Sequence, residues 1–176
     1  LTSGGPTERH ISAPFSVVID GMSELSFSAG ADLKWDVTID SGASVVMNQT
    51  AVLENLMIEP DAALTGNREM VVRQDVVNEG YFFRAAGVVE GGFVNDADAA
   101  SLNHVEMTGG LLRVEGQFGN TAGSEVFGHG TIQAPGVVNH GVITASEGLY
   151  IITSALSGSG ELVVQEGGQL RLQTAE

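Results

Sequence analysis

The hydrophobic residues of this chain recur in a fixed spacing. Two apolar residues two positions apart are followed by a gap of five polar or small residues, and then by a second such pair. Four copies have this spacing and a fifth has a shorter gap: Val17, Ile19, Leu25, Phe27; Val37, Ile39, Val45, Met47; Leu56, Ile58, Leu64, with Gly66 closing; Leu162, Val164, Leu170, Leu172; and the shorter Val105, Met107, Leu112, Val114. Alternation with a period of two predicts strands that bury one face.

The pairs return about every twenty residues, from Ile19 to Ile39 to Ile58, which indicates one structural coil repeating along an axis. We therefore predict an all-β, single-domain parallel β-solenoid with coils of roughly 20 residues. Glycine or small residues occupy the gaps, where the chain must turn. An antiparallel sandwich of hairpins is the alternative, but the chain contains none of the Asn-Gly turns that hairpins favour.

The solenoid domain is expected to span residues 15–176. It follows a flexible, polar N-terminal extension over residues 1–14 that contains Pro6 and Pro14. Residues 65–103 are the least regular, and we interpret them as two coils with a protruding loop. No Pro/Gly/Ser-rich linker divides the chain, which favours one domain. Because the sequence begins at Leu1 rather than Met, we expect a processed form or a fragment.

Asparagine also recurs within this pattern. Asn78 and Asn139 both stand in the sequence Val-Val-Asn-x-Gly, and Asn95 and Asn120 stand in weaker versions of it. An asparagine at one corner of successive coils would form a ladder of hydrogen-bonded amides, one rung every ~4.8 Å. Asparagine also favours turns without any ladder, so both explanations stay open.

Charge and composition exclude several functional classes. Seven basic residues against 22 acidic ones give a formal net charge of −15, which repels nucleic-acid phosphates and anionic membranes. The chain has no cysteine, so disulfides, thiolate metal sites and cysteine nucleophiles are excluded. No apolar run approaches the roughly 20 residues that a membrane-spanning helix needs, and no signal peptide is visible. We therefore expect no nucleic-acid partner and no membrane span.

Three motifs lie between residues 128 and 172. They are Gly128-His129-Gly130-Thr131-Ile132, Val138-Asn139-His140-Gly141-Val142-Ile143, and Ser157-Gly158-Ser159-Gly160 followed by Glu161-Leu162-Val163-Val164. This stretch resembles the degenerate repeats of secreted bacterial right-handed β-helix proteins, including autotransporter passengers and large adhesins. The resemblance implies a right-handed coil in a protein that is secreted or lies at the cell surface. It transfers no active-site residue.

Acidic residues are the candidates for a metal site, and calcium is the only cofactor that the sequence suggests. Stacking in register would place Asp20, Asp40 and Glu59 at one corner of three successive coils, where their oxygen atoms suit calcium. These side chains could equally splay into solvent. Asp96 and Asp98 form a second candidate, although their spacing does not match an EF-hand loop.

Four aromatic residues are candidates for contact with a partner. Consecutive side chains on a strand alternate between its two faces, so Tyr81, Phe82 and Phe83 cannot all point inward. An outward aromatic side chain there would mark a contact surface. Trp35 begins a strand and could contact a sugar, belong to the core or cover an end of the solenoid.

Catalysis is not expected. The chain contains no Gly-x-Ser-x-Gly motif, and His129 and His140 stand in glycine-flanked turns. A polysaccharide-degrading enzyme of the parallel β-helix kind remains an alternative, with Asp96 and Asp98 beside Arg84 as its carboxylates. A polysaccharide-binding protein is the non-catalytic form of that alternative. Ice binding is disfavoured because the threonines form no regular column.

A structural role is the favoured function. Each end coil of a solenoid offers unpaired backbone groups that must be covered or used for pairing, and no amphipathic capping helix is visible at either terminus. We therefore expect a non-enzymatic extracellular protein that builds a fibre, sheath or surface layer or forms part of an adhesin. The expected partner is a second copy, in a homo-oligomer or head-to-tail polymer, with glycan or cell-surface contact as a further possibility. Residues 1–14 could add to a neighbouring subunit as a strand.

Overall fold

The computed structural model describes residues 15–19, 22–23, 31–32, 35–47, 50–66, 69–84, 86–96 and 104–174. Within these residues every regular element is a strand, and the paired strands run parallel. The predicted all-β parallel β-solenoid is therefore confirmed, with about seven turns and coils of about 19 residues. The predicted N-terminal extension over residues 1–14 lies outside the described residues.

The strands stack into three faces, and each coil contributes to all of them. Face 1 is an eight-stranded sheet. In order along the axis it contains β1 (Phe15–Ile19), β4 (Trp35–Ile39), β7 (Asn55–Ile58), β10 (Val76–Asn78), β13 (Phe93–Asn95), β15 (Gln117–Asn120), β17 (Gly136–Asn139) and β19 (Ala155–Ser157).

Faces 2 and 3 begin as separate columns of strands and become continuous in the later coils. Face 2 starts with β2 (Met22–Ser23), β5 (Ser44–Met47), β8 (Ala63–Gly66) and β11 (Tyr81–Arg84), and face 3 with β3 (Ala31–Asp32), β6 (Ala51–Leu53), β9 (Met70–Val72) and β12 (Gly87–Val89). Three long strands then span both faces: β14 (His104–Val114), β16 (Glu125–Gln133) and β18 (Val142–Ile152). The last coil separates again into β20 (Glu161–Val164) and β21 (Gln169–Gln173).

The core is a narrow column of stacked side chains inside the three faces. On face 1 the same inward position holds a residue that is at most 4% exposed in six successive coils: Val37, Leu56, Val76, Phe93, Phe118 and Val137. The rings of Phe93 and Phe118 stack with centroids 5.2 Å apart. Burial of each such side chain stabilises the fold by about 1.5–3 kcal/mol, so the predicted alternation does supply a continuous interior.

The corner between faces 1 and 2 is a tight turn in the early coils. Backbone hydrogen bonds join Ala43 to Asp40 over 2.9 Å and Ala62 to Glu59 over 3.0 Å. The third residue of each turn has a positive φ, 75° at Gly42 and 61° at Asp61. A turn with this geometry requires the left-handed region at that position and favours proline just before it. Pro60 occupies that place in the second turn.

Close backbone packing explains the glycine of the Val-Val-Asn-x-Gly repeat. A Cβ atom on Gly80 would lie 2.4 Å from the carbonyl oxygen of Ala62, and one on Gly141 would lie 2.2 Å from that of Ser124. No side chain fits at these distances. Glycine is therefore required at these two positions, two residues after Asn78 and Asn139, where face 1 turns into face 2.

The irregular stretch over residues 65–103 contains an insertion. Asn95 pairs with Asn78 and His104 pairs with Tyr81. The chain therefore takes six residues more between Asn95 and His104 than between Asn78 and Tyr81. Residues 97–103 lie outside the described residues, so the predicted protruding loop stays a prediction, whereas the coils around it are present.

Candidate functional site

A buried ladder of four asparagine amides runs through face 1. Asn78, Asn95, Asn120 and Asn139 lie above one another in register and are at most 3% exposed. Each Nδ2 donates to the Oδ1 of the next rung, over 2.7 Å from Asn78, 2.8 Å from Asn95 and 2.8 Å from Asn120. The amide-ladder explanation is therefore confirmed.

Each rung also ties face 1 to the start of face 2. The Nδ2 atoms of the four asparagines donate to backbone carbonyl oxygens of the coil beyond, over 3.0 to 3.4 Å. Asn139, for example, donates to the carbonyl oxygen of Glu161 over 3.0 Å. Buried amides are stable only when they are hydrogen-bonded, so the ladder fixes the register of the coils that it joins.

The ladder ends differently at its two extremes. Below Asn78 the same position holds Ile58, and the buried Oδ1 of Asn78 has no hydrogen-bond partner among the described residues. Above Asn139 the corresponding place follows Ser157 and holds Gly158, whose φ is 113°. A Cβ atom on Gly158 would lie 1.9 Å from the backbone oxygen of Asn139, so no fifth asparagine can stand there.

The end coil, residues 155–173, leaves its inward side chains uncovered. Leu156 lies directly above Val137 in register, yet Val137 is 1% exposed and Leu156 is 38% exposed. The same inward rows continue with Leu162, Val164 and Leu172, which are 38%, 50% and 54% exposed. In the described part of the chain, β19, β20 and β21 pair only with the coil below them. The end coil therefore presents an apolar surface surrounded by backbone groups that are free to pair.

A second cluster lies on the outer surface of face 2. The rings of Tyr81 and His104 stack with centroids 5.4 Å apart and planes 5° apart. The Tyr81 hydroxyl donates to the carboxylate of Glu106. His104 Nδ1 lies 3.5 Å from a carboxylate oxygen of Glu125, and the His104 ring lies 6.1 Å from that of Phe127. Polar and aromatic side chains of three consecutive coils are thereby joined outside the core.

The environment of Tyr81 favours its neutral form. Burial of the phenol raises the pKa of Tyr81, and the hydrogen bond to Glu106 and the negative charge of Glu106 raise it further. A neutral phenol that donates to a carboxylate is a positioning element.

Of the predicted calcium ligands, the three that the structure describes, Asp40, Glu59 and Asp96, lie in one corner column. Asp40 and Glu59 follow β4 and β7, and Asp96 follows β13, at equivalent positions of face 1. Asp96 accepts a hydrogen bond of 2.9 Å from the hydroxyl of Thr121. Among the described residues no three acidic or histidine side chains converge on one point. Asp20 and Asp98 lie outside the described residues, so calcium binding stays a prediction.

The predicted aromatic contacts separate into different environments. Phe82 is 0% exposed and packs against Phe93, so its assignment as a partner contact is wrong: it points inward because strand side chains alternate. Tyr81 is partly exposed and faces outward. The backbone of Phe83 pairs with that of Glu106, and the side chain of Phe83 is not among the described parts of the structure. Trp35 is partly buried and packs against the core.

Two features of the site were missed by the sequence reasoning. The pairing of His104 with Glu125 and of Tyr81 with Glu106 joins residues about twenty or more positions apart, and only the register brings them together. The exposure of the end coil has no local signal, because Leu162 and Leu172 follow the same spacing as buried residues. The missing asparagine at Gly158 was the available clue that the last coil differs.

No protein-family model, curated protein or solved structure matches this chain. Within the described residues no helix is long and apolar enough to cross a bilayer. The fold and the site thus define a parallel β-solenoid with an internal amide ladder.

Proposed function

We propose that this protein is a non-enzymatic structural β-solenoid of the cell exterior, which assembles end to end through its open end coil. The exposure of Leu156, Leu162, Val164 and Leu172 carries the proposal, because equivalent residues one coil below are buried. An apolar surface with pairing-competent strands is satisfied by another coil stacked in the same way. Such a contact suits a fibre, a sheath, a surface layer or an adhesin.

The extracellular setting is supported by the resemblance of residues 128–172 to repeats of secreted β-helix proteins. A polysaccharide-binding or polysaccharide-degrading role has less support. The ring of His104 covers one face of the Tyr81 ring, which leaves less aromatic surface for a sugar. We therefore place the contact surface at the end coil and not at the aromatic cluster on face 2.

The proposal is tested by sedimentation velocity and electron microscopy across a range of protein concentrations. The wild-type protein is expected to form rods that lengthen with concentration and with added salt, since salt screens repulsion between chains of net charge −15. The double variant Val164→Asp, Leu172→Asp is expected to stay monomeric. Val46→Asp is the matched control, because Val46 is also exposed, at 37%, but lies on β5 away from the end.

Two outcomes would contradict this function. One is a wild-type protein that stays monomeric at every concentration. The other is assembly that persists in the double variant and disappears in the Val46→Asp control, which would place the contact on face 2.

A further inference from the structure

The outer surface of face 1 carries a row of mostly apolar side chains that runs along the solenoid axis. The middle outward position of each strand stacks in register from β1 to β17. In order, this position holds Val18, Thr38, Met57, Val77, Val94, Gly119 and Val138. Val18 is 58% exposed and Val94 is 37% exposed. A contiguous exposed apolar patch marks a contact surface.

Acidic side chains line both margins of this apolar row. On one margin, Asp36 and Asp75 stand two residues before Thr38 and Val77. The other margin is the corner column, where successive strands of face 1 are followed by Asp40, Glu59, Glu79 and Asp96. Within the described strands of face 1 no residue is lysine or arginine. The surface is therefore an apolar row between two negatively charged margins.

Neighbouring coils hold carboxylates of both margins in place without cancelling their charge. On one margin, Asp36 accepts a hydrogen bond of 2.7 Å from the Nδ2 of Asn55. On the other, Asp96 accepts one of 2.9 Å from the hydroxyl of Thr121. Both donors are neutral. Because like charges on neighbouring strands repel, the margins favour a partner that brings positive charge to them.

The spacing of the margins fits an α-helix that lies along the solenoid axis. Asp36 and Asp40 are four positions apart in extended chain, so the two margins are about 13 Å apart, and a helix with its side chains is ~10–12 Å wide. The helix pitch of ~5.4 Å is close to the ~4.8 Å between coils, so successive turns meet successive coils. An extended strand laid the same way repeats every ~6.7 Å and falls out of step sooner. From Val18 to Val94 the row crosses four strand spacings, about 19 Å, which equals roughly 13 residues of helix.

We propose that the outer surface of face 1 docks a cationic amphipathic helix of a partner protein. The apolar ridge of the helix packs on Met57, Val77 and Val94, and lysine or arginine on both sides of the ridge pairs with the acidic margins. Nucleic acid and anionic lipid do not fit, because both are negatively charged, and a second copy of the chain brings the same negative charge. The surface lies on the side of the solenoid, so this inference goes beyond the end-to-end contact and does not depend on it.

The test uses the full chain and two peptides of identical composition. The first probe, acetyl-(Lys-Leu-Ala-Ala-Leu-Lys-Ala)₂-amide, places lysine on both sides of a leucine ridge when it is helical. The second, acetyl-(Ala-Leu-Lys-Ala-Leu-Ala-Lys)₂-amide, keeps the ridge and the charge but places lysine on the opposite side of the helix. Calorimetry measures binding, and circular dichroism measures helix formation by the peptide, since the described residues of the protein form no helix. The first peptide is expected to become helical and to bind about fivefold more tightly than the second, with a difference that shrinks as salt is added.

Matched variants locate the docking site. Val94→Lys is expected to weaken binding of the first peptide by about fivefold or more, because it places a positive charge in the apolar row. Val46→Lys is its control, since Val46 has the same exposure, 37%, but lies on β5 of face 2. Asp40→Lys is also expected to weaken binding. Its control is Glu147→Lys, which makes the same change of charge at an exposed position of β18, away from face 1, and is expected to have little effect.

Three outcomes would overturn the docking site. Absence of binding, equal affinity of the two peptides, or equal weakening by each variant and its control would show that only the net charge of −15 attracts a cation. Binding without a gain of helix would mean that the occupant is an extended chain. Wild-type dimers that Val94→Lys abolishes, with no peptide bound, would assign face 1 to a second copy of the chain.

Discussion

The coils below Asn78 and those from Asn78 upward differ in how they are held together. At one position of face 1 the first coils carry isoleucine, with Ile39 and Ile58 fully buried. The next four coils carry asparagine at the same position, equally buried. The upper coils also bear the Tyr81–Glu106 and His104–Glu125 contacts on the outer surface of face 2.

The difference shows that one backbone geometry accepts two kinds of interior. Isoleucine contributes apolar burial without directional constraint, so its position tolerates small shifts between coils. Asparagine contributes less burial but must meet its neighbour within hydrogen-bond distance. The ladder therefore determines the register of the upper coils more strictly than packing does below. The ladder also has two distinct ends. At Asn78 the buried Oδ1 has no hydrogen-bond partner among the described residues, and above Asn139 the ladder position holds Gly158.

The largest expected effect comes from breaking the ladder at its middle instead of at its end. Asn120→Leu removes a donor to Asn139 and an acceptor of Asn95, which leaves two additional buried groups unpaired. Asn78→Leu only moves the unpaired oxygen from Asn78 to Asn95. We expect Asn120→Leu to lower the free energy of unfolding by about 3 kcal/mol more than Asn78→Leu.

Urea denaturation of both variants measures this difference directly. Both variants place a leucine at a position that is at most 1% exposed. The apolar burial gained is therefore similar in the two, and the difference in stability reports the lost hydrogen bonds. Equal losses of stability would show that the amides act as independent buried groups and not as a ladder.

An intermediate effect is expected from extending the ladder downward. In Ile58→Asn the new Nδ2 can donate to the unpaired Oδ1 of Asn78, whereas in Ile39→Asn no amide lies on either side. Both variants lose apolar burial, but we expect Ile58→Asn to be less destabilising by about 1–2 kcal/mol. The comparison uses the same change at two positions that are at most 1% exposed.

Thermal denaturation of this pair provides the measurement. A solved structure of Ile58→Asn would also show whether the new amide meets Asn78. Identical melting temperatures for the two variants, or a more stable Ile39→Asn, would contradict the assignment of a free acceptor at the lower end of the ladder.

The smallest effect concerns the outer contacts of the upper coils. The pKa of Tyr81 is raised in the folded protein, so the folded state keeps its proton where the unfolded state loses it. The stabilisation is therefore fully present below the ordinary tyrosine pKa of ~10 and is lost as the pH rises beyond it. We expect the wild-type melting temperature to fall above about pH 10, and the fall to be shallower in Tyr81→Phe.

Melting curves between neutral and alkaline pH test this dependence. Tyr150→Phe is the matched control, since Tyr150 is the other tyrosine of the chain and contacts Arg171 instead of a carboxylate. An equal flattening of the pH profile in both variants would mean that the Tyr81–Glu106 contact has no special role.

Much of the fold could be predicted because its signals are local. Val37 and Ile39, or Leu56 and Ile58, reveal a strand and its buried face by alternation alone. The return of such pairs about every twenty residues indicates a coil, and the Val-Val-Asn-x-Gly sequences of Asn78 and Asn139, with their weaker versions at Asn95 and Asn120, suggest four amides at one corner. The irregular residues 65–103 were harder, because the insertion before His104 shifts the period of the pattern.

The candidate site could be predicted only in part. Alternation predicts that Tyr81 and Phe82 point to opposite faces, but nothing local shows which of the two is buried. Glu106 becomes the partner of Tyr81 because β11 lies against β14 with one register and not another. A different stagger of one residue would turn every side chain of that strand to the opposite face.

The sequence by itself determined that the chain forms short strands in repeating coils, because hydrophobic alternation and turn residues act over a few positions. Only the tertiary structure decided that Asn139 has no rung above it, that Leu156 is exposed while Val137 is buried, and that Tyr81 meets Glu106. These properties depend on which residues of neighbouring coils lie opposite one another. That register follows from packing and hydrogen bonding between segments about twenty residues apart, which no local pattern contains.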